Sequence, residues 1–274
     1  MAIYYVNGKY VEDIYATLPL SDIALLRGYA VFDYLRTYNG KPFHLDDHFK
    51  RLKNSADLLM LNCPWSFEEI KEIVNELLRL NNFWETNLRF IITGGDSIDS
   101  ITPSNSTRLI IMATELQPFP KEWYREGVKV ISSDVTRYIP GAKSTDYIKA
   151  IMVLRNARQV GAIESIYVNE KGDLLEGTTS NLFAVFGEKI VTPAEGILPG
   201  ITRKVVIALA ENSFEVELGA INRKDLEQCS EMFITSSNKE VVPVLQIDDR
   251  QISQEPGKVT KSIMKLFRQY SQKM

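Results

Sequence analysis

Residues 164–192 read ESIYVNEKGDLLEGTTSNLFAVFGEKIVT, and this stretch decides the fold class of the second half of the chain. Its apolar runs SIYV, LLEG, NLFAVF and KIVT are rich in β-branched and aromatic residues, which favour strands. Gly172 and Gly187 separate these runs and mark turns between them. The stretch therefore predicts a dense succession of short strands.

The same pattern extends to both sides of this stretch. Upstream, the sequence predicts a strand at 128–133 and a helix at about 147–160. Downstream, Pro199-Gly200 precedes a predicted helix from about 202 to 212. The remaining predicted elements are strands at 214–218, 231–235 and 243–247 and a final helix at about 257–271.

The first half of the chain mixes strands and helices in another order. It opens with IYYV-NG-KYV, in which Asn7-Gly8 is typical of a tight hairpin turn. Further strands are predicted at 31–38, 88–93 and 108–114, and amphipathic helices from Leu45 and Ser66. Ser66 and Glu69 form a capping-box pattern at the start of the second helix. The order of elements predicts an α+β fold rather than repeated βαβ units.

Two prolines in Gln117-Pro118-Phe119-Pro120-Lys121 interrupt helix and strand alike. We therefore expect an N-terminal domain at 1–116, a linker at 117–126 and a C-terminal domain at 127–274. A chain of 274 residues is long enough for two such cores.

Composition limits the possible ligands. The formal net charge is −3, so no overall positive field attracts nucleic acid or an anionic membrane. No apolar run approaches the roughly 20 residues that a bilayer span requires, and the N-terminus becomes polar too early for a signal peptide. We expect a cytoplasmic protein with a small-molecule ligand.

Metal and hydrolase motifs are missing from the sequence. Cys63 and Cys229 have no metal-ligand spacing and are expected to be buried thiols. The two histidines, His44 and His48, belong to no catalytic motif, and a surface or helix-start position is expected for both.

Three separated motifs carry the remaining chemistry. Lys143 lies in Pro-Gly-Ala-Lys-Ser-Thr-Asp-Tyr, Glu176 opens Glu-Gly-Thr-Thr-Ser-Asn-Leu-Phe, and Leu198 opens Leu-Pro-Gly-Ile-Thr-Arg. A single lysine is usually a solvated charge, but the order of these motifs changes that expectation. The combination resembles the class IV aminotransferases, which include branched-chain and D-amino acid aminotransferases and aminodeoxychorismate lyase. The resemblance covers nearly the whole chain.

The resemblance implies a fold type IV enzyme that depends on pyridoxal 5'-phosphate. It predicts a small N-terminal α/β domain and a larger, β-barrel-like C-terminal domain with flanking helices. By motif match, Lys143 carries the cofactor covalently and moves the substrate's proton. Glu176 matches the carboxylate that faces the pyridine nitrogen.

The other cofactor contacts also follow from the resemblance. Arg51 matches the arginine that grips the phosphate, for which a guanidinium fork is well suited. Ile201 and Thr202 begin a helix whose free N–H groups meet the same phosphate. Ser236 and Ser237 are expected to form a second phosphate-binding turn. Leu198 is expected to pack on the ring, and Tyr147 to place its phenol near the cofactor's phenolic oxygen.

The substrate's carboxylate is expected to bind arginine. Arg36 shares a polar-aromatic strand face with Tyr34 and matches an arginine of branched-chain enzymes. Arg27 and Arg89 fit the arginine-built carboxylate site of a D-amino acid transaminase. Asn238 stands where branched-chain enzymes carry small residues, so a rearranged carboxylate site is expected.

These features predict amino-group transfer between an amino acid and a 2-oxo acid such as 2-oxoglutarate or pyruvate. A D-amino acid is slightly favoured over a branched-chain L-amino acid. Aminodeoxychorismate lyase and a non-catalytic cofactor-binding protein remain alternatives. The family resemblance further implies a homodimer.

Overall fold

The hairpin predicted around Asn7 and Gly8 begins the first of two units in the computed structural model, which describes residues 1–104 and 106–274. Asn7 has a φ of 45° and Gly8 a φ of 97°, which is the left-handed backbone of a primed two-residue turn. The first unit comprises 1–117, 142–146 and 274, and the second comprises 118–141 and 147–273. Lys143 thus belongs to the first unit, although the sequence analysis placed its segment in a domain of residues 127–274.

The first unit is a two-layer structure of helices on an antiparallel sheet. The strand order is β2-β1-β6-β5-β3-β4. Its strands are β1 (Ile3–Val6), β2 (Lys9–Glu12), β3 (Ala30–Tyr38), β4 (Lys41–Pro42), β5 (Thr86–Thr93) and β6 (Arg108–Glu115). Its helices are α1 (Ile23–Arg27), α2 (Leu45–Leu58) and α3 (Phe67–Asn81).

The core of this unit forms where α2 and α3 bury their apolar faces against the sheet. Leu52 and Ala56 of α2 and Ile70 of α3 are fully or almost fully buried in one cluster with strand residues such as Leu35 and Leu88. The capping box of Ser66 and Glu69 begins α3 as predicted. Apolar spacing and local capping therefore account for both long helices.

The second unit is built around a closed barrel. Its strands are β7 (Val128–Ser133), β8 (Glu164–Val168), β9 (Asp173–Gly177), β10 (Ser180–Phe186), β11 (Lys189–Thr192), β12 (Val216–Leu218), β13 (Ile221–Asn222), β14 (Glu231–Ser236), β15 (Glu240–Ile247) and β16 (Arg250–Gln251). Its helices are α4 (Lys121–Arg125), α5 (Ile148–Gln159), α6 (Ile201–Ala210) and α7 (Lys258–Ser271).

Pairing between β9 and β10 closes the ring. The barrel runs β7-β8-β9-β10-β14-β15 and returns to β7, while β11, β12, β13 and β16 extend the sheet outside the ring. The two parallel pairs in the ring are β15–β7 and β7–β8. The α+β prediction with a β-barrel-like second domain is confirmed by this topology and by the six-stranded sheet of the first unit.

The segment 117–126, predicted to be an interdomain linker, contains the short helix α4, and Pro120 directly precedes this helix, a position that tolerates the missing N–H. One expectation about the cysteines was wrong. Cys63 is only partly buried, whereas Cys229 is buried as expected. Burial raises the pKa of the Cys229 thiol to about 11.

Among the described residues, no helix combines the length and apolarity needed to cross a membrane.

Candidate active site

Lys143 is fixed through its main chain in the first unit. Its carbonyl accepts a hydrogen bond from the Phe32 N–H at 2.8 Å, and its own N–H donates to Ser55 Oγ at 3.0 Å. The next residue, Ser144, pairs with Val31 of β3. The Lys143 Nζ lies 4.6 Å from the centroid of the Phe32 ring, a distance at which a cation and an aromatic face attract. Lys143 is therefore a partly buried, positioned lysine rather than a freely solvated one.

A buried polar cluster joins β3 to α2 in the same unit, and we call Asp33, His48 and Arg51 the Asp33 cluster. Arg51 donates through Nε to Asp33 Oδ2 at 2.9 Å and through an η nitrogen to Asp33 Oδ1 at 2.8 Å. His48 Nδ1 lies 2.6 Å from Asp33 Oδ1. All three residues are buried. The guanidinium of Arg51, which was expected to face a phosphate, is thus paired with the carboxylate of Asp33.

Opposing effects set the protonation of Asp33. Burial alone raises the pKa of its carboxyl, but the charges and hydrogen bonds of Arg51 and His48 hold that pKa well below its usual range. Asp33 is consequently an anion that neutralises Arg51.

The expectation for one histidine was wrong. His44 precedes α2, as a helix-start residue does, and pairs with Asp47. His48, however, is only 1% exposed. His48 lies on the buried face of α2, where it pairs with Asp33. The sequence did contain a signal for this buried position. Asp33 lies on the apolar face of β3, and His48 and Arg51 are three residues apart and so share one face of α2.

The predicted polar-aromatic face of β3 extends onto β5. Tyr34 pairs in register with Arg89, whose guanidinium carbon lies 5.6 Å from the Tyr34 ring centroid and 5.3 Å from that of Phe32. Arg36 lies 4.3 Å from the ring centroid of Tyr38. Burial raises the pKa of Tyr34 to about 12, against the opposing charges of Arg89 and Arg36. This face offers two guanidinium groups among aromatic rings.

Arg27 has a different setting from Arg36 and Arg89. It ends α1 and is exposed, and its guanidinium donates to the carbonyl of Leu26 at 2.9 Å. The structure therefore places Arg27 outside the aromatic face, and its proposed contact with substrate stays a prediction.

Glu176 is the central carboxylate of the second unit. It is buried at the end of β9 and accepts from the Leu198 N–H at 3.0 Å and from Asn181 Nδ2 at 3.2 Å. Arg137 lies 3.2 Å from the other carboxylate oxygen. These donors fix the carboxylate, and Arg137 is a partner that sequence reasoning did not identify.

Asn181 connects this carboxylate to the start of α6. Its Nδ2 also donates to the Leu198 carbonyl at 2.9 Å. A Cβ added at Gly200 would lie 1.9 Å from Asn181 Oδ1, so only glycine fits there. Just beyond, the hydroxyl of Thr202 is buried without a hydrogen-bond partner among the described residues. A buried donor beside the free N–H groups of a helix start suits an anionic ligand.

The predicted second phosphate turn is the three-residue loop 237–239 between β14 and β15. Ser236 Oγ donates to Asn238 Oδ1 at 2.9 Å and accepts from the Lys239 N–H at 3.3 Å. These bonds tie Ser236, at the end of β14, to the loop that holds Ser237 and Asn238.

Lys239 extends from this loop into a buried ion pair that the sequence analysis did not predict. Its Nζ lies 3.4 Å from Glu164 Oε2 and 2.5 Å from Thr179 Oγ1. Glu164 also accepts from the main chain and hydroxyls of Thr178 and Thr179. Burial alone raises the pKa of Glu164, but Lys239 and these donors lower it overall. The pair links the loop 237–239 to the turn between β9 and β10.

Tyr147 directly precedes α5 and packs against an apolar cluster that contains Tyr167 and Leu175. Burial raises the pKa of Tyr167, although the Arg137 charge opposes this effect. Tyr147 is partly buried, so its hydroxyl's proposed role beside a cofactor stays a prediction.

Comparison with known sequences identifies a family for this arrangement. The family described as "Amino-transferase class IV" matches residues 30–247. A putative branched-chain-amino-acid aminotransferase of Methanocaldococcus jannaschii is 34% identical, with 96% of this chain and 94% of that protein covered. An aminodeoxychorismate lyase of Bacillus subtilis is 30% identical, with coverage of 96% and 93%. A D-alanine aminotransferase of Staphylococcus epidermidis is 29% identical, with coverage of 98% and 97%.

Solved structures give the same result. The branched-chain amino acid aminotransferase of Escherichia coli has a TM-score of 0.91 at 30% identity, covering 96% of this chain and 92% of that chain. The branched-chain aminotransferase of the archaeon Thermoproteus uzoniensis, solved with norvaline, has a TM-score of 0.91 at 28% identity, covering 99% and 95%. A further branched-chain enzyme, solved with pyridoxamine 5'-phosphate, has a TM-score of 0.92 at 29% identity, covering 99% and 94%. All three agree with this chain in fold over almost its whole length.

Proposed function

This chain belongs to the class IV aminotransferase family, and we propose that it transfers an amino group between an amino acid and a 2-oxo acid with pyridoxal 5'-phosphate bound to Lys143. The observation that carries the proposal is the setting of Lys143. Hydrogen bonds to Phe32 and Ser55 hold the main chain of Lys143 in place. A covalent carrier must present its amine in a reproducible position, whereas a surface lysine has no such requirement.

The donor groups of each unit suit the cofactor. In the first unit we assign Arg51 to the phosphate. In the second unit, the buried hydroxyl of Thr202 at the start of α6 fits a phosphate oxygen, with support from Ile201, Ser236 and Ser237. Glu176 is the only member of the predicted set that offers a carboxylate to a protonated ring nitrogen. Tyr147 and Leu198 are assigned to the phenolic oxygen and the ring face.

The cofactor supplies an electron sink, and the chain supplies placement and proton transfer. Glu176, fixed by Leu198 and Asn181, would offer a negative partner to the protonated ring nitrogen of the cofactor. The amine of Lys143 would move the proton between the substrate's α-carbon and the C4′ carbon of the cofactor.

The face on β3 and β5 supports an amphipathic substrate. Arg36 and Arg89 provide two cations for carboxylates, and Phe32, Tyr34 and Tyr38 provide apolar contact. We assign an amino acid with an apolar side chain as donor and a 2-oxo acid such as 2-oxoglutarate as acceptor. Two guanidinium groups suit a dicarboxylate.

A screen of D- and L-amino acids tests this function. The readout is conversion of bound cofactor to its amine form, followed by return to the aldehyde form with 2-oxoglutarate or pyruvate. D-Alanine and L-leucine separate the two kinds of aminotransferase among the relatives. Pyruvate release from aminodeoxychorismate without any acceptor would instead favour the lyase, and cofactor binding without turnover would favour a non-catalytic protein.

An exposed apolar stripe supports the proposed homodimer. Ile148, Ile151 and Met152 lie on one face of α5 and are 71%, 64% and 62% exposed. An apolar stripe of this kind is typical of a surface covered by another chain. Light scattering should report twice the chain mass, and Ile151→Glu should shift the protein towards monomer. A monomeric wild-type protein would contradict the assignment.

A further inference from the structure

Ser55 is a fully buried residue of α2 whose hydroxyl makes two hydrogen bonds. Its Oγ donates to the Arg51 carbonyl at 2.8 Å, one helical turn earlier, and accepts from the Lys143 N–H at 3.0 Å. A helical serine commonly makes the first bond, but the second reaches a segment 88 positions away in the chain. The hydroxyl of Ser55 therefore joins the main chain of Lys143 to the turn of α2 that carries Arg51.

A second connection between Arg51 and Lys143 runs through β3. The guanidinium of Arg51 donates to both carboxylate oxygens of Asp33. The N–H of the preceding residue, Phe32, donates to the Lys143 carbonyl at 2.8 Å. Together with Ser55, these bonds form a closed ring of contacts between β3, α2 and the segment 142–146.

The side chains of Arg51 and Lys143 end near each other inside this ring. An η nitrogen of Arg51 lies 3.4 Å from His48 Nδ1, and Lys143 Nζ lies 4.6 Å from the centroid of the Phe32 ring. Burial lowers the pKa of His48, Asp33 opposes that effect, and the charges of Arg51 and Lys143 lower this pKa further. Both cationic groups are therefore close enough to act on one imidazole.

The proposed cofactor requires a fixed spacing between these two groups. In pyridoxal 5'-phosphate the aldehyde and the phosphate-bearing methylene are attached to neighbouring carbons of one rigid ring. A protein that binds the phosphate through Arg51 and the aldehyde through Lys143 has two linked contacts with one ligand. The second contact adds its full share to the affinity only when the two protein groups already lie at the matching distance.

We propose that Ser55 is a positioning residue that sets the distance between the guanidinium of Arg51 and the amine of Lys143 before the cofactor binds. This inference rests on the proposed function, which assigns the phosphate to Arg51 and the aldehyde to Lys143. In the covalent step the neutral amine of Lys143 adds to the aldehyde carbon and one water leaves. Ser55 exchanges no proton in that step and acts only through the two residues that it joins.

Three ligands test whether Ser55 couples the two contacts. Pyridoxal 5'-phosphate carries both groups, pyridoxal carries only the aldehyde, and pyridoxine 5'-phosphate carries the phosphate with an alcohol in place of the aldehyde. Dissociation constants are measured by titration of the cofactor-free protein. Ser55→Ala should weaken binding of pyridoxal 5'-phosphate by about ten-fold to one hundred-fold, the range for removing one partner of a buried hydrogen bond. Binding of the other two ligands should stay nearly unchanged, because each uses one contact only.

Ser271→Ala is the matched control. Ser271 is also a buried helical serine, and its Oγ donates to the Arg268 carbonyl at 3.2 Å in α7 of the second unit. Both substitutions remove a hydroxyl from a buried helical position, but only Ser55→Ala should change the affinity for pyridoxal 5'-phosphate relative to the other ligands. Equal weakening of all three ligands by Ser55→Ala would give Ser55 a purely structural role and overturn the proposal.

Amide hydrogen exchange tests the wild-type protein without any substitution at position 55. In lysine-labelled protein, the signal that disappears in Lys143→Arg belongs to the Lys143 N–H. We expect this N–H to exchange slowly in the cofactor-free protein, because its bond to Ser55 Oγ is already formed. Fast exchange that slows only when pyridoxal 5'-phosphate is added would show that the cofactor itself creates the spacing, which contradicts the inference.

The outcomes separate this inference from the function on which it rests. A wild-type protein that binds pyridoxal 5'-phosphate on Lys143, with the same affinity in Ser55→Ala, rejects the role of Ser55 and leaves the proposed function intact. A wild-type protein that stays colourless with pyridoxal 5'-phosphate and binds neither of the other ligands rejects the proposed function itself.

Discussion

The guanidinium of Arg51 forms a two-point ion pair with the carboxylate of Asp33, at 2.9 Å from Nε to Oδ2 and 2.8 Å from an η nitrogen to Oδ1. Both groups are buried between β3 and α2. Asp33 thereby orients the residue to which we assign the phosphate. Its loss should affect both stability and cofactor binding.

Asp33→Asn should destabilise the protein by about 3–5 kcal/mol, because it leaves the Arg51 charge buried without a counter-charge. Urea unfolding at neutral pH measures this value. Asp46→Asn is the matched control, since Asp46 forms an exposed pair with Lys50 and should be nearly neutral. An equal loss in both variants would contradict the role of the buried pair.

Acid should remove this stabilisation. The pKa of Asp33 is lower in the folded protein than in the unfolded chain, so the unfolded chain binds more protons in acid. The stability gap between wild type and Asp33→Asn should be complete above about pH 4, the pKa range of an unfolded aspartate, and should shrink as the pH falls further. Paired urea titrations from pH 7 downwards measure the gap, and one that widens in acid would show the wrong sign.

Lys239→Met should cost about 3–5 kcal/mol, because Glu164 would lose its counter-charge while it stays buried among the hydroxyls of Thr178 and Thr179. Adding Glu164→Gln should recover part of that loss, since the uncompensated charge is removed. Thermal or urea unfolding of the two single variants and the double variant gives the coupling. Strictly additive losses would mean that the two groups do not act as a pair.

Lys143→Ala should abolish the visible absorbance of bound cofactor and all amino-group transfer, because the substitution removes the amine that carries the cofactor. Borohydride reduction followed by mass spectrometry should locate the cofactor on residue 143 in the wild type. Lys171→Ala, in an exposed turn, serves as the control and should behave like wild type. Modification at another lysine would show that the carrier was misassigned.

Arg36→Ala and Arg89→Ala should each lower kcat/KM by roughly ten-fold to one hundred-fold, the effect of losing one charge-assisted contact to a carboxylate. The cofactor spectrum should stay unchanged because neither residue is assigned to the cofactor. Steady-state kinetics with the best donor and acceptor from the screen measure the effect. Arg125→Ala, an exposed residue of α4, is the control. If both strand variants retain wild-type KM values, the carboxylate binds elsewhere.

The sequence by itself determined the local elements and the family. Apolar spacing specified α2 and α3, the Ser66–Glu69 box specified where α3 begins, and Asn7-Gly8 specified the first hairpin, because each depends on residues a few positions apart. The motifs around Lys143, Glu176 and Leu198 pointed to the class IV family. Their roles at a cofactor remain predictions.

Only the tertiary structure decided which buried charges meet. Asp33 and Arg51 are 18 positions apart, and Lys239 and Glu164 are 75 positions apart, so no periodicity pairs them. The barrel likewise depends on pairing between strands as distant in sequence as β7 and β15. A buried charge needs a counter-charge beside it. Which residue supplies that counter-charge depends on how whole helices and strands pack, not on residues that are close in sequence.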